Sequence, residues 1–205
     1  MNSLGKALKV ADSPRKGART RKRILSAAEE VFVRSGYDGA TLREVATMCE
    51  IAQPGIYNYF SNKRDLYYHV FETTLSPLMN LFENMISKEE EVDETALRIT
   101  DTLIENPNIS PLLMRALLSD NETERSVAVD WIMRLMENSP HSRRGENVRP
   151  FSADNVVRVV ALINICFGYF WASPLVQRIA GTNIADADLV AAQKRLLAFM
   201  ARTLI

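Results

Sequence analysis

Residues 41–66, TLREVATMCEIAQPGIYNYFSNKRDL, decide the fold of this chain. Thr41 and Glu44 have the spacing of a capping box, in which a hydroxyl accepts from one backbone N–H and a carboxylate returns a bond three residues later. Small side chains then recur on one face at Val45, Ala46 and Cys49. The first part of the stretch therefore predicts a short helix that begins after Thr41.

The second part of the stretch predicts another helix directly after a tight turn. Residues 50–52 are too few for any other connection, and Pro54 fits the first turn of a helix, where its missing N–H costs nothing. The following segment, about Gln53 to Phe60, is too short to be stable alone in water and is rich in Gln, Asn and Tyr. A short polar helix closely preceded by another favours a helix-turn-helix whose second helix enters a DNA groove.

At this point the sequence resembles the DNA-binding domain of the TetR family of bacterial repressors. The resemblance covers the first third of the chain, and the rest is similar to the family only in length and all-helical character. The matching positions are Arg23, Ile24, Leu25, Ala27, Ala28, Phe32, Gly36, Tyr37, Thr41, Val45, Ala46, Ile56, Tyr57, Tyr59, Phe60, Lys63 and Leu66.

Two positions in the turn depart from the family pattern. Glu50 stands where the family commonly has Gly, and Ala52 stands where it has Ser. A residue other than Gly in this turn predicts backbone strain, and Ala is a poor N-cap.

Four residues are expected to face the bases. The amide of Gln53 can pair bidentately with adenine N6 and N7, and Pro54 can pack on a thymine methyl group. Arg43, near the start of the first helix of the motif, is within expected reach of guanine. Gly55 stands where relatives often carry Thr, which predicts one contact fewer and a closer approach of the backbone.

A second group is expected to contact phosphate or sugar. Lys63 opens the next helix, where its ammonium group and the helix N–H groups face the same anion. Thr41 and the segment Arg19–Arg23 should flank the groove on the other side. Tyr57 and Tyr59 complete the group, although Tyr57 has packing against the first helix as its alternative.

The distribution of charge agrees with a DNA-binding N-terminus. Residues 1–65 hold 12 basic and 7 acidic side chains (+5), and residues 66–205 hold 13 and 18 (−5), so the whole chain is neutral. Up to residue 28 only Asp12 opposes eight basic residues. A basic arm that leads into a helix is typical of a phosphate-binding surface, and a solubilising disordered tail is its alternative.

The whole sequence predicts an all-α fold of about nine helices, because no stretch alternates with the period of a strand. Expected domains are a mobile basic arm (1–15), a three-helix helix-turn-helix domain (16–66), and a ligand-sensing and dimerisation domain (67–205). Beyond the motif, the predicted helices cover about 16–35, 62–88 with a kink or break at Pro77, 89–107, 111–119, 122–138, 152–173 and 185–203.

The last two long helices predict a homodimer. Residues 152–173 are apolar on nearly every face, as in a helix that is central in its domain or buried by a second chain. In residues 185–203, Asp188, Arg195 and Arg202 recur every seven residues and are expected to form the stripe that faces solvent. The resemblance implies a four-helix bundle formed by these two helices of each subunit, and the small residues Ala161 and Gly168 permit a close approach there.

The middle helices are expected to enclose a pocket for a small apolar effector, because Met and aromatic side chains suit a bulky apolar ligand. Ordinary core packing is the alternative for each of them, and Asn164 can equally anchor a ligand, bond across the dimer or be satisfied in the core. The candidates are Met79, Phe82, Met114, Trp131, Asn164, Phe167 and Trp171.

Three classes of function compete. The first is a ligand-responsive repressor that binds a palindromic double-stranded DNA operator, and the second is a ligand-independent architectural or adaptor DNA-binding protein. The third, a helical enzyme, is disfavoured because the sequence has no phosphate loop, metal-ligand spacing or nucleophile signature. We therefore expect no cofactor and no metal.

Two distant cysteines and the lack of an apolar run of membrane length predict a reducing, cytoplasmic location.

Overall fold

The computed structural model describes residues 14–88, 92–137 and 153–204 of the chain. Within these residues all regular structure is helical, which confirms the predicted all-α fold. Nearly all of the arm at 1–15 lies outside them, as do residues 89–91 and 138–152. The elements are α1 (Pro14–Gly39), α2 (Leu42–Met48), α3 (Gln53–Asn58, a 3₁₀ helix), α4 (Lys63–Lys88), α5 (Val92–Glu105), α6 (Ile109–Leu117), α7 (Glu122–Glu137), α8 (Ala153–Trp171), α9 (Ser173–Ala180) and α10 (Ala187–Leu204).

The helices of the predicted first domain, α1, α2, α3 and the start of α4, pack together, and their buried side chains belong to a hydrophobic cluster that continues into the later helices. The buried side chains of α1 follow the helical spacing expected from the sequence, and Ile56 and Phe60 attach α3 and the residues after it to the same core. The buried residues of this core are Ile24, Leu25, Ala27, Ala28, Val31, Phe32, Val45, Ala46, Cys49, Ile56, Phe60, Leu66 and Tyr67.

The second domain is built around α6, which is the most completely buried of its helices. Helix α6 packs on α7 and α8, and it also contacts α1 and α4 of the first domain. Helix α10 packs mainly on α5. Helix α4 starts in the first domain and ends in the second. Helices α4 and α6 therefore both link the two domains.

Pro77 lies inside the continuous helix α4, so the helix does not break there, and of the predicted kink or break only the kink stays a prediction. A proline removes the hydrogen bond to the carbonyl four residues earlier, which here belongs to Thr73. The hydroxyl of Ser76 donates to that carbonyl at 2.8 Å. A side chain therefore satisfies the acceptor that the proline leaves open.

Helix α9 was missed by the sequence analysis. Pro174 directly follows the predicted helix 152–173, and it occupies the first turn of a new helix. That helix ends at Gly181, whose φ of 66° is left-handed. A single proline signal therefore both ends α8 and begins α9.

The described helices include none with the length and apolar character needed to span a membrane.

Candidate nucleic-acid interface

The start of α2 is fixed by Thr41. Its backbone is extended (φ −125°, ψ 142°) and its Oγ1 accepts from the N–H of Glu44 at 3.1 Å, so the predicted cap is confirmed. The carboxylate of Glu44 pairs with the guanidinium of Arg34 on α1 instead of returning a bond to the cap. The second half of the predicted capping box is therefore wrong, because a charged partner competes for the carboxylate.

The turn after α2 is a Schellman motif that carries Glu where Gly is usual. The N–H of Ile51 donates to the carbonyl of Ala46 at 3.0 Å, and that of Glu50 donates to Thr47 at 3.1 Å. Glu50 itself has a left-handed φ of 54°, which confirms the strain expected at this position. Ala52 makes no side-chain cap, as predicted.

Helix α3 presents a polar face outwards while its apolar residues hold it to the domain. Ile56 and Phe60 are buried, whereas Gln53 and Pro54 are exposed. Tyr57 is 52% exposed, which is contrary to a packing role against α1. The segment is a 3₁₀ helix rather than the α-helix expected of a recognition element.

The other candidates for contact with DNA lie around α3. Arg43 is exposed on α2, and Tyr59 is partly buried against the core. At Gly55 an added Cβ would meet Ile51 Cδ1 at 3.8 Å, an ordinary contact. Packing therefore does not require glycine at this position, and its small size leaves room on the outer side.

Lys63 stands at the first turn of α4 and is held against the end of α1. Its Nζ lies 4.6 Å from the ring centroid of Tyr37 and 3.4 Å from the carbonyl oxygen of Asp38. The N-terminus of α4 is capped by Asn62, whose Oδ1 accepts from the N–H of Asp65 at 2.9 Å. The ammonium group is thus held against the end of α1, and the N-terminus of α4 is capped by a side chain.

Two arginines of the segment Arg19–Arg23 make contacts within the domain. The guanidinium of Arg23 donates to the carbonyl of Cys49 at the end of α2, and that of Arg21 lies 4.9 Å from the ring centroid of Phe60. Arg19 and Lys22 are exposed. The segment therefore divides into residues that support the motif and residues available to a phosphate.

The candidate effector residues fall into two groups. Met114, Trp131 and Phe167 are buried, and Met79 and Phe82 pack against the same core. Asn164 is exposed on α8 and donates to the carbonyl of Val160 at 2.8 Å, and Trp171 is 54% exposed. Only the first group is brought together inside the second domain.

An exposed apolar surface covers the outer sides of α8 and α10. On α8 it runs along one side and includes Gly168, beside which an added Cβ would meet no atom within 4 Å. Its large members are Val156, Val157, Val160, Trp171, Leu196 and Phe199. We call this set the α8/α10 surface.

Three residues that contact α1 from the later helices were not predicted from the sequence: Asn108, Arg115 and Asn121. Asn108 donates to Glu29 at 3.0 Å and Asn121 donates to Asp38 at 2.7 Å. The sequence does show that Asn121 and Glu124 have the spacing of a helix cap. No local signal in the sequence shows that the side-chain amide of Asn121 also contacts α1.

A capped helix, a tight left-handed turn and a short helix with an exposed polar face define a helix-turn-helix DNA-binding domain. Residues 24–70 match the sequence model of the family of bacterial regulatory proteins called tetR. Residues 24–70 are therefore a DNA-binding domain of this family, and the relatives that the chain resembles are HTH-type transcriptional regulators.

Relatives and solved structures agree with this assignment. The HTH-type transcriptional activator FasR of Mycolicibacterium smegmatis is 37% identical over 60 residues, which are 29% of this chain and 27% of FasR. The HTH-type transcriptional repressor NicS of Pseudomonas putida is 24% identical over 142 residues, which are 67% of this chain and 58% of NicS. Each match spans less than two thirds of the relative's own length.

The likeness in fold extends over most of the chain. The crystal structure of the transcriptional regulator FadR from Bacillus subtilis in complex with stearoyl-CoA superposes with a TM-score of 0.59 at 18% identity. The match covers 90% of this chain and 98% of the FadR chain. At this identity the comparison shows the fold of both domains.

Proposed function

We propose that the protein is a homodimeric transcriptional repressor that binds a palindromic DNA operator and is released from it by a small apolar effector. The observation that carries the proposal is the exposed face of α3, with Gln53, Pro54 and Tyr57 outwards on a helix anchored by Ile56 and Phe60. In a dimer the two α3 helices lie about 34–36 Å apart and enter successive major grooves.

The α8/α10 surface supports a homodimer. Exposed apolar patches of this kind mark interaction sites on soluble proteins, and the predicted four-helix bundle uses the same two helices. Asn164 lies on this surface, which favours the second of its three predicted roles, a bond across the dimer.

Gly168→Leu tests this interface. An added Cβ at this position meets nothing within 4 Å in its own subunit and the change improves helix propensity, so the subunit should stay folded while the larger side chain prevents close approach of a second one. Light scattering should then report a monomer. Gly17→Leu is the matched control, because its Cβ also meets no atom within 4 Å. If the Gly168→Leu variant formed a dimer with the same dissociation constant as the Gly17→Leu control, the interface would lie elsewhere.

The proposed effector site lies among α4, α6, α7 and α8, where Met79, Phe82, Met114, Trp131 and Phe167 supply the apolar side chains. FadR, which shares the fold, was solved with stearoyl-CoA, and a long acyl chain has the chemistry that such side chains accept. An effector that binds more tightly to the dimer with its two α3 helices spread apart lowers the affinity for DNA. The factor cannot exceed the ratio of the effector's affinities for the spread and the DNA-binding states.

Thermal shift with stearoyl-CoA, coenzyme A and stearate tests the effector class. Stabilisation by the acylated compounds alone supports an apolar chain site. Trp131→Phe should weaken that binding and leave DNA binding intact, because the change is small and lies in the second domain. Equal loss of both would mean that Trp131 is only core. A protein that binds DNA and responds to no compound in an apolar panel would instead fit the ligand-independent alternative.

The DNA proposal is tested by selecting duplexes from a random-sequence library with the full-length protein. We expect a palindrome whose half-sites are one helical turn apart. A reporter gene placed behind the selected duplex then gives the sign of regulation: higher expression without the protein supports a repressor, and lower expression would make it an activator. Recovery of no preferred sequence would contradict the proposal.

A further inference from the structure

The last turn of α1 is interrupted at Gly36, and an arginine from the second domain fills the interruption. Gly36 has φ 69° and ψ −177°, outside the helical region. A Cβ at this position would lie 2.5 Å from Nε of Arg115 and 2.9 Å from its Nη2. The guanidinium of α6 therefore occupies the space that any other residue at position 36 would need.

Arg115 also meets the carbonyl groups that this interruption exposes. Its Nη1 lies 3.4 Å from the carbonyl oxygen of Arg34 and 3.5 Å from that of Val33. The carbonyls at a helix C-terminus lack partners within the helix and carry a partial negative charge. A cation from the second domain thus caps the first regular part of α1.

Asn121 holds the next residues of the same segment. Its Oδ1 accepts from the N–H of Glu124 at 3.1 Å, which caps α7, and its Nδ2 donates to Asp38 Oδ1 at 2.7 Å. Because the cap fixes the amide with Oδ1 towards α7, the amino group must point to α1. Asn121 therefore ties Asp38 to the start of α7.

Lys63 of α4 contacts the same segment, residues 36–39. The carbonyl of Asp38 and the ring of Tyr37 are the groups that Nζ of Lys63 approaches, at 3.4 Å and 4.6 Å. The ring of Tyr37 is fixed in turn by Tyr67 of α4, with centroids 5.2 Å apart. Residues 36–39 thus contact Arg115 of α6, the capping residue Asn121 of α7, and Lys63 of α4.

We propose that Arg115 and Asn121 of the second domain are positioning residues for DNA binding, which hold residues 36–39 and through them keep the Lys63 ammonium group where it meets a phosphate. The inference rests on the proposed DNA-binding function. Arg115 directly follows Met114, a candidate effector residue, in α6. A ligand that displaces α6 or α7 thereby loosens Lys63 by a route separate from movement of α4.

Asn121→Asp removes the donor to Asp38 and keeps the cap, because Asp and Asn are equally good N-caps. We expect it to weaken binding to the selected duplex roughly two- to tenfold, the range for the net loss of one hydrogen bond. The exchange Asp38→Asn with Asn121→Asp restores a donor–acceptor pair at the same net charge and should restore affinity. Asn121→Ser, which keeps a capping hydroxyl, is the second variant if Asn121→Asp is poorly folded.

Thr123→Asp is the matched control, because it adds the same charge two residues away, on a side chain with no described bond to α1. The decisive measurement is a double-mutant cycle on DNA affinity with Lys63→Ala. In a Lys63→Ala background, Asn121→Asp should have no further effect, since residues that act through one another are not additive.

Three results would overturn the inference. The Asn121→Asp variant could bind DNA as tightly as the Thr123→Asp control, its effect on DNA affinity could add to that of Lys63→Ala, or the exchange of Asp38 and Asn121 could fail to restore DNA affinity. In each case the wild type still binds the duplex, so the proposed function survives. A wild type that binds no duplex would overturn both.

Discussion

Glu72 of α4 and Arg134 of α7 form an ion pair that fastens two helices carrying candidate effector residues. The two side chains are 30% and 40% exposed. The hydrogen bond to Glu72 is the main reason why the pKa of Arg134 is raised, with partial burial acting in the opposite direction. Because of this pair, α7 is expected to follow any movement of α4.

Glu72→Gln should lower the free energy of unfolding by about 0.5–1 kcal/mol, since the pair is 30–40% exposed and is screened by water. For a chain of this size that corresponds to a fall in Tm of about 1–4 °C, measured by calorimetry. Glu122→Gln is the control: Glu122 pairs with Arg125 but is 82% exposed. An equal fall in both variants would show that the α4–α7 pair adds nothing specific.

Gln53→Ala should relax base preference at one position in each half-site and leave the rest of the operator unchanged. The physical reason is that the amide of Gln53 can pair bidentately with adenine, which other bases do not match. Selection from a random-sequence library with the variant measures this directly. If the selected sequences were those of the wild type, Gln53 would not read a base.

Lys63→Ala should weaken selected and unrelated duplexes alike, because a phosphate contact carries no sequence information. The plot of log affinity against log salt concentration should become less steep by about one unit per subunit. Anisotropy titrations at four salt concentrations give the slope. The exposed Lys22→Ala is a useful comparison, and an unchanged slope for Lys63→Ala would place this side chain off the DNA.

Cys166 predicts a loss of stability at alkaline pH. Burial raises the pKa of its thiol to about 12, whereas an unfolded thiol titrates near 8.5. A pKa that is higher in the folded state contributes stability that is present below about pH 8.5 and is lost as pH rises towards 12. Between pH 8 and 10.5, Cys166→Ala should therefore lose less stability than the wild type.

Urea unfolding at several pH values measures this difference. The cavity left by alanine lowers stability by the same amount at every pH, so the informative quantity is the slope against pH. Tyr67, whose pKa burial also raises, titrates in both proteins and cancels in the comparison. Parallel curves for the two proteins would contradict the assignment.

The helix-turn-helix was predictable because its signals are local. Thr41 caps the residues directly after it, Pro54 opens the next helix, and the left-handed residue Glu50 follows from the length of the turn. Each of these features depends on a few neighbouring residues, so the local sequence is enough to predict it.

Features that depend on distant partners were not predictable. The continuity of α4 at Pro77 depends on the rotamer of Ser76. The contacts of Arg115 and Asn121 join residues about eighty positions apart. The exposed positions of Asn164 and Trp171 follow from how α8 is rotated in its domain, which the even apolar character of that helix does not determine.

The 3₁₀ geometry of α3, together with the uncapped Ala52 and the strained Glu50, has a consequence for local unfolding. No side-chain cap stabilises the start of this short segment, so its order depends mainly on Ile56 and Phe60 in the domain core. The amide protons of Tyr59 and Phe60, both bonded to the carbonyl of Ile56, should then exchange with solvent only when the core of the domain opens. The proposed DNA-binding surface is therefore as rigid as the hydrophobic residues behind it, and a cavity made at Ile24 or Val45 should give faster amide exchange there.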